Sequence, residues 1–181
     1  MSWIEVESKI KVDNVKSMRK NIKGIAKFVK IENKIDDYYS LEIGKYPKKS
    51  LRIRHKGKIA EVNFKGRKSY SNGVWAKKEV EFKVSDLKNF FELLDNFGFK
   101  KWLRKEKRTE LYKTKDGVNI EINFVKGLGW FVEIEILCRV EDVKKSRIRI
   151  NEIERELGVS KNQLEKDGYT KVLWNKKRQI N

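Results

Sequence analysis

The chain has 181 residues, with 44 Lys and Arg against 26 Asp and Glu, which gives a formal net charge of +18. Its hydrophobic content of 39% is lower, and its charged content of 39% higher, than in typical globular domains, and its length predicts one domain over residues 1–181. A single cysteine excludes an internal disulfide and a cysteine-based zinc site, and a single histidine gives little basis for a catalytic triad.

The first half of the chain contains several segments in which apolar and charged residues alternate, a pattern typical of strands with one buried face. Asp13 is suited to cap a helix that ends near Gly24, and Gly57 marks the turn of a hairpin. The predicted elements are a strand at 3–11, a helix at 13–24, a strand at 25–40, hairpin strands at 50–56 and 58–65, a polar loop at 66–73 and a strand at 74–84.

The second half continues with a helix, further strands and a helical end. Ser85 is suited to cap a helix that Gly98 ends, and turns are predicted at Asp116-Gly117 and over 127–129. The predicted elements are a helix at 85–98, three or four strands within 99–105, 108–113, 118–125 and 130–139, and helical segments at 141–157 and 161–167.

Charged residues repeat at every second position of these predicted strands. Residues two apart on a strand share a face, so each repeat forms a row of charge along one side. A solvated outer face explains any one such strand, but it explains less well the presence of the same pattern on most of them. We therefore predict an α+β fold, in which a closed eight-stranded antiparallel β-barrel has a charged interior, or tunnel, and helices packed outside. The rows are Glu5-x-Glu7-x-Lys9, Arg52-x-Arg54, Glu79-x-Glu81 and Glu133-x-Glu135.

The signs of the charges indicate a ligand class. Acidic rows attract divalent cations, and basic rows, with Lys65, attract phosphate oxygens, so together they predict binding of a metal-bound polyphosphate. The net charge favours polyanions such as nucleotides, polyphosphate or nucleic acid, although a thermophile-type surface rich in Lys and Glu has the same composition. No segment has the pattern of a signal peptide or the length of a membrane span, so we expect a cytoplasmic protein without a membrane partner.

Three segments, in this order along the chain, resemble motifs of the CYTH superfamily, the triphosphate tunnel metalloenzymes. Residues 5–9 resemble its ExExK signature, residues 51–54 its LRIR strand, and residues 127–135 its GLGxFxEIE segment. ExExK alone is a weak signal, but the three in order are specific, and weaker similarities extend over most of the chain. The family includes class IV adenylyl cyclases, thiamine triphosphatases and inorganic triphosphatases. The weaker similarities lie at Asp36 with Tyr38, at 64–66, at 77–81, at Lys107-Arg108 with Tyr112, and at 157–159 with Tyr169 and Leu173.

The resemblance implies an eight-stranded tunnel and a set of site residues. The oxygen ligands of Mg²⁺ or Mn²⁺ would be Glu5, Glu7, Glu121, Asn123, Glu133 and Glu135. The substrate phosphates would be bound by Lys9, Arg52, Arg54, Lys65, Lys77, Lys107 and Arg108. The residues nearest the chemistry would be Lys9, Tyr38, Glu79 and Glu81. For the glutamates the structural alternative is a salt bridge inside a charged barrel, and for Tyr38 it is a hydrogen bond at a strand end.

One departure from the family pattern bears directly on the metal. The family usually has Asp four residues before its GLG segment, whereas this chain has Asn123, which offers a carbonyl oxygen but no charge. Glu121 lies on the same face, two residues earlier, and is positioned to compensate.

The leading hypothesis is a metal-dependent phosphohydrolase acting on inorganic tripolyphosphate, thiamine triphosphate or a nucleoside triphosphate. The first alternative is a class IV adenylyl cyclase that forms cyclic AMP and pyrophosphate from ATP. A second is a non-catalytic polyphosphate or nucleotide binder, which Asn123 motivates. Nucleic acid is disfavoured as a partner, because the basic residues alternate with carboxylates that repel a phosphate backbone. The family resemblance is also compatible with a homodimer.

Overall fold

The computed structural model describes residues 3–180, except for the side chains at 67, 68, 179 and 180. Within that range the chain forms eight strands, four α-helices and two short 3-10 turns at Val140–Asp142 and Lys161–Gln163. The strands are β1 Ile4–Lys11, β2 Ala26–Ser40, β3 Leu51–Lys56, β4 Ile59–Ser71, β5 Val74–Val84, β6 Lys100–Thr114, β7 Asn119–Val125 and β8 Gly129–Cys138. The helices are α1 Val15–Ile25, α2 Leu87–Asn96, α3 Val143–Glu156 and α4 Tyr169–Ile180.

The strands close into a barrel in the order β1-β5-β4-β3-β2-β6-β7-β8. The predicted α+β fold with a closed eight-stranded antiparallel barrel is therefore confirmed. β1 pairs antiparallel with both β5 and β8, so residues that are far apart in sequence become neighbours. In this register Glu5 lies opposite Lys77, and Glu7 lies opposite Glu135.

Two strands are longer than predicted. The segments predicted at 99–105 and 108–113 form the single strand β6, because the alternation of Lys105, Lys107 and Thr109 continues without a turn residue between them. The predicted loop at 66–73 is mostly strand, since β4 runs on to Ser71. The turn is confined to Asn72 and Gly73, whose φ angles of 48° and 82° are typical of a tight hairpin turn.

The helices predicted at 13–24, 85–98 and 141–157 correspond to α1, α2 and α3, but two predicted caps and the last predicted segment were wrong. The side chains of Asn14 and Asp86, not those of Asp13 and Ser85, accept the capping hydrogen bonds of α1 and α2. The segment predicted as helical at 161–167 contains only a 3-10 turn, and the last helix is α4. The sequence prediction missed α4.

The chain divides into two compact units, each with its own hydrophobic core. The first unit comprises the described part of Met1–Asn33 with Lys65–Glu79 and Arg108–Lys166. Its core lies where the apolar face of the strands, with Val6 and Ile134, packs against α1 and α3 through residues such as Ile22 and Ile150. The charged residues of the same strands point to the opposite face, which in a closed barrel is the interior.

The second unit comprises Lys34–Phe64, Val80–Lys107 and the described part of Asp167–Asn181. Its core contains Ile53 and Val62 from β3 and β4, which pack with Leu94 of α2. Since Ile53 lies between Arg52 and Arg54, the two arginines share the face opposite the core. No helix in the described part of the chain is long and apolar enough to cross a membrane.

Candidate functional site

The first unit holds two overlapping groups of carboxylates. Glu5, Glu7 and Glu135 each offer an oxygen atom within 4.8 Å of the others, and so do Glu121, Glu133 and Glu135. The strand register explains the second group, because Glu121 lies directly opposite Glu133 in the pairing of β7 with β8. Clustered carboxylate oxygens are the donors that hard divalent cations prefer. The residues therefore fit a divalent metal ion.

Three lysines lie among these carboxylates. The Nζ atom of Lys9 is 3.8 Å from Glu7 Oε1 and 3.5 Å from Glu133 Oε1, and its side chain is almost fully buried. Lys65 donates to both oxygens of Glu5 at 2.9 Å. Its Nζ also lies 2.6 Å from Glu79 Oε1, and Lys77 donates to Glu7. Each lysine therefore neutralises part of the acidic cluster.

The pKa values of the neighbouring Glu5 and Glu7 are shifted in opposite directions. Burial raises the pKa of Glu5 well above its usual value, and the charge of Lys65 only partly offsets that effect. Burial acts in the same direction on Glu7, but the charges of Lys77, Lys9 and Lys65 outweigh it and lower the pKa of Glu7 well below its usual value. The surroundings of Glu7 thus favour its carboxylate form, whereas burial disfavours the charged form of Glu5.

Asn123 is fully buried, and both the oxygen and the nitrogen of its amide make hydrogen bonds within this cluster. Its Oδ1 accepts a hydrogen bond from Thr109 Oγ1 at 2.6 Å. Its Nδ2 donates to Glu133 Oε2 at 2.8 Å and to Glu121 Oε2 at 3.3 Å. The two carboxylates set the orientation of the amide, because only its N–H groups can face them. Asn123 therefore links Glu121 and Glu133, which the sequence prediction placed beside it as metal ligands.

The second unit holds a basic group around Asp36. Arg54 donates to both oxygens of Asp36, from Nε at 2.7 Å and from Nη2 at 3.0 Å, and Lys105 Nζ lies 3.0 Å from Asp36 Oδ2. Burial tends to raise the pKa of Asp36, but Lys105 and Arg54 outweigh it and hold that pKa well below its usual value. Arg54 is thus committed to Asp36 and has fewer donors left for a ligand.

Arg52, two residues before Arg54 on β3, makes a longer hydrogen bond to its carboxylate partner than Arg54 does. Its Nη2 lies 3.4 Å from Glu81 Oε2, which also accepts from Asn63 Nδ2 at 3.3 Å. Its Nε atom is buried and has no hydrogen-bond partner among the residues that the structure describes. A buried donor without a partner is costly unless a ligand completes it, and a phosphate oxygen would do so.

Three further predicted residues, Tyr38, Lys107 and Arg108, do not all lie on the same face of the sheet. Tyr38 accepts a hydrogen bond from Lys105 Nζ at 3.0 Å, and the Nζ atom of the buried Lys107 lies 5.9 Å from the centre of the Tyr169 ring. Arg108 lies on the opposite face of β6 from Lys107, where its exposed side chain is 3.4 Å from Glu110. Arg108 is therefore separated from Lys107, the other predicted substrate-binding residue of its strand.

The sequence prediction missed Lys105 and Asn63. Lys105 precedes Lys107 by two residues, so the alternation already placed both on one face, but the predicted strand break after residue 105 concealed it. Asn63 bears the same relation to Lys65 on β4.

A family model for the CYTH domain matches residues 3–169. The chain belongs to the CYTH family. The resemblance predicted from the three sequence motifs is therefore confirmed. No curated protein matches this sequence.

This CYTH protein is similar to several proteins of known structure. PH1819 from Pyrococcus horikoshii OT3 has a TM-score of 0.77 and 28% identity, covering 95% of this chain and 99% of that chain. PH1012 from the same organism has a TM-score of 0.75 and 28% identity, covering 91% and 96%. HpAC1 from Hippeastrum, a proposed adenylyl cyclase reported to have a dominant triphosphatase activity, has a TM-score of 0.62 and 15% identity, covering 93% and 91%. At that identity the likeness of HpAC1 to this CYTH protein concerns the fold alone.

Proposed function

We propose that this CYTH protein is a metal-dependent phosphohydrolase that acts on a triphosphate. The observation that carries the proposal is the two clusters of carboxylates, each with oxygens within 4.8 Å of one another, together with the lysines that lie among them. Carboxylates alone would suit a structural cation, and lysines alone would suit any anion. The combination suits an anion that arrives with a divalent cation, as triphosphates do.

The cation would be Mg²⁺ or Mn²⁺, held by Glu5, Glu7, Glu121, Glu133 and Glu135. When bound, it would neutralise phosphate charge and polarise the phosphoryl group. We assign Asn123 a supporting role, since its amide oxygen already accepts from Thr109 and its amide nitrogen already donates to two of these carboxylates. It would act through Glu121 and Glu133 rather than as a ligand.

The lysines of the first unit would bind the phosphate chain. Lys9, Lys65 and Lys77 would neutralise phosphate oxygens beside the carboxylates of that unit, whereas the substrate contacts of Arg52 and Lys107 in the second unit stay predictions. Glu79 would orient Lys65, from which it lies 2.6 Å, and Glu81 would orient Arg52 at 3.4 Å. In the second unit the role of Tyr38 as a substrate neighbour stays a prediction, and its hydroxyl accepts a hydrogen bond from Lys105.

The test is to incubate purified protein with Mg²⁺ or Mn²⁺ and, separately, tripolyphosphate, thiamine triphosphate and ATP, and to separate the products by chromatography. Release of orthophosphate is the expected result. We expect Glu133→Gln to lower the rate by at least about 100-fold, the loss typical of disturbing a metal site. The matched control is Glu141→Gln, an exposed carboxylate in a 3-10 turn.

The other outcomes distinguish the alternatives. Cyclic AMP and pyrophosphate from ATP would identify a class IV adenylyl cyclase, which needs the same charged residues but uses the ribose hydroxyl as nucleophile. Binding of every triphosphate without turnover would identify a non-catalytic binder. Tight, salt-sensitive RNA binding without metal would restore nucleic acid as a partner. The cytoplasmic location and the homodimer stay predictions.

A further inference from the structure

Two aromatic residues of the β4–β5 hairpin adjoin the charged face of the first unit. Trp75 precedes Lys77 by two residues on β5, so both side chains lie on one face. In the pairing of β1 with β5, Trp75 lies directly opposite Glu7, which belongs to the cluster of carboxylates with Glu5 and Glu135. Tyr70 packs against Trp75, with ring centroids 4.8 Å apart and an interplanar angle of 48°. The pair is therefore next to the carboxylates and lysines proposed to hold metal and phosphate.

The position of this aromatic pair is tightly fixed. The indole Nε1 of Trp75 donates to the carbonyl oxygen of Lys166 at 3.0 Å. The turn between the two residues contains Gly73, where an added Cβ would lie 2.6 Å from Leu164 Cδ1, so the hairpin packs closely on that side chain. A fixed ring loses little entropy when a flat ligand stacks on it.

Ordinary core packing does not account for the pair. Trp130 packs against the hydrophobic core of the first unit, whereas neither Trp75 nor Tyr70 belongs to either core in the described part of the chain. Both are partly exposed. A cross-strand aromatic pair can stabilise a hairpin by itself, but that role does not require it to face Glu7 and Lys77.

Each ring has a lysine beside it, which suits an anionic aromatic ligand, and carboxylates also lie near, with Glu7 opposite Trp75 and with Glu154 and Glu165 near Tyr70. Lys77 Nζ lies 5.6 Å from the centre of the Trp75 ring, and Lys166 Nζ lies 6.0 Å from the centre of the Tyr70 ring. A flat heteroaromatic ring that stacks here would have its phosphates directed toward lysines of the same face. Stacking on an aromatic side chain tolerates different rings, because each presents a π-face.

We propose that Trp75 and Tyr70 form a stacking subsite for a heteroaromatic ring carried by the substrate. The substrate class is then an ester of triphosphate with a ring-bearing alcohol, such as a nucleoside triphosphate or thiamine triphosphate, rather than inorganic tripolyphosphate. This inference rests on the proposed function, which places the triphosphate at the carboxylates and lysines of the first unit.

The test compares the binding of ring-bearing and ring-free ligands by calorimetry with Mg²⁺ present. The probes are an ATP analogue with a methylene group between the β and γ phosphates, the corresponding thiamine triphosphate analogue, and methylene-bridged tripolyphosphate. We expect wild type to prefer a ring-bearing probe, and Trp75→Ala to reduce that preference by about 5- to 150-fold, the range for loss of one stacked base. Trp75→Phe should keep most of it. Whichever of the two ring-bearing probes binds more tightly shows whether the ring is that of a nucleoside or of thiamine.

The matched control is Trp3→Ala, which removes an exposed indole elsewhere and should keep the wild-type preference. If Trp75→Ala does not fold, as judged by circular dichroism, Trp75→Leu supplies an apolar side chain without a flat ring. Equal binding of ring-bearing and ring-free probes by wild type, or an unchanged preference in the Trp75 variants, would overturn the inference. Hydrolysis of tripolyphosphate, with no tighter binding of ring-bearing probes, would contradict only the stacking subsite. Tighter binding of a ring-bearing probe that depends on Trp75, without turnover, would contradict only the hydrolase proposal.

Discussion

At the scale of single residues, Asn123 shows how an uncharged side chain can link two buried carboxylates. A carboxylate at this fully buried position would stand beside Glu121 and Glu133, and the three negative charges would repel one another in the absence of a cation. The amide instead donates to both neighbours. Compared with the Asp that the sequence resemblance predicts at this position, Asn123 exchanges one negative charge for two hydrogen bonds that hold the carboxylates in place.

Asn123→Asp tests this reading. We expect the free energy of unfolding without metal to fall by about 1 to 3 kcal/mol, because buried donors are replaced by an acceptor beside two carboxylates. Mg²⁺ or Mn²⁺ should then raise the melting temperature more in the variant than in wild type, since the added charge attracts the cation. Thermal denaturation with and without metal measures both effects, and Asn96→Asp, at an exposed position on α2, is the control. A variant as stable as wild type without metal would contradict the linking role of Asn123.

At the scale of elements, α3 holds the β4–β5 hairpin through Arg147, with a further hydrogen bond from Asn151 to the carbonyl of Asn72. Arg147 donates from Nη1 to the carbonyl of Val74 at 2.9 Å and to that of Ser71 at 3.2 Å. Its Nη2 donates to the carbonyl of Ser69 at 3.0 Å and to its hydroxyl at 2.8 Å. Burial lowers the pKa of Arg147, and none of these hydrogen-bond acceptors is a carboxylate. The helix therefore fixes the backbone on both sides of the turn that presents Trp75.

We expect Arg147→Met to destabilise the protein by about 1 to 3 kcal/mol, because it leaves several carbonyl oxygens without their donor. The loss should be local, so amide hydrogen exchange of residues 69–75 should accelerate more than that of β7. Urea denaturation and exchange measurements check the two parts. Arg155→Met, which changes an exposed arginine on the same helix, should have little effect. Uniform acceleration across the first unit would argue against a local role for Arg147.

At the scale of the whole molecule, buried and paired carboxylates make stability dependent on pH. In the second unit the pKa values of Asp36 and Asp37 lie well below their usual range, because basic neighbours outweigh the effect of burial. In the first unit hydrogen bonds from Arg149 and Thr114 lower the pKa of Asp116 to about 2. A carboxyl group whose pKa is lower in the folded than in the unfolded state stabilises the fold above the unfolded value, and that contribution is lost as pH falls. The raised pKa of Glu5 acts in the opposite direction.

We therefore expect the free energy of unfolding to fall as pH drops from about 4, near the unfolded pKa of Asp and Glu, toward 2. Asp36→Asn should cost about 3 to 5 kcal/mol at pH 7, because it removes the buried partner of Arg54 and Lys105. The cost should shrink at pH 3, where wild type has begun to lose the same contribution. Urea denaturation at both pH values measures the difference, with exposed Asp13→Asn as control. A pH-independent cost would contradict the assignment.

The sequence alone determined that the strands carry one apolar and one charged face, because alternation with period two is a local property. It also determined the family, since the ExExK, LRIR and GLGxFxEIE segments occur in order. The tertiary structure decided which charges meet. Glu7 contacts residues on β4 and β5, and Glu135 reaches it from β8, because the register of a closed barrel joins strands that are far apart in sequence. No local pattern encodes that register, nor the hydrogen bonds that tie Asn123 to its neighbours or hold Trp75 beside Glu7. These long-range pairings position the candidate site.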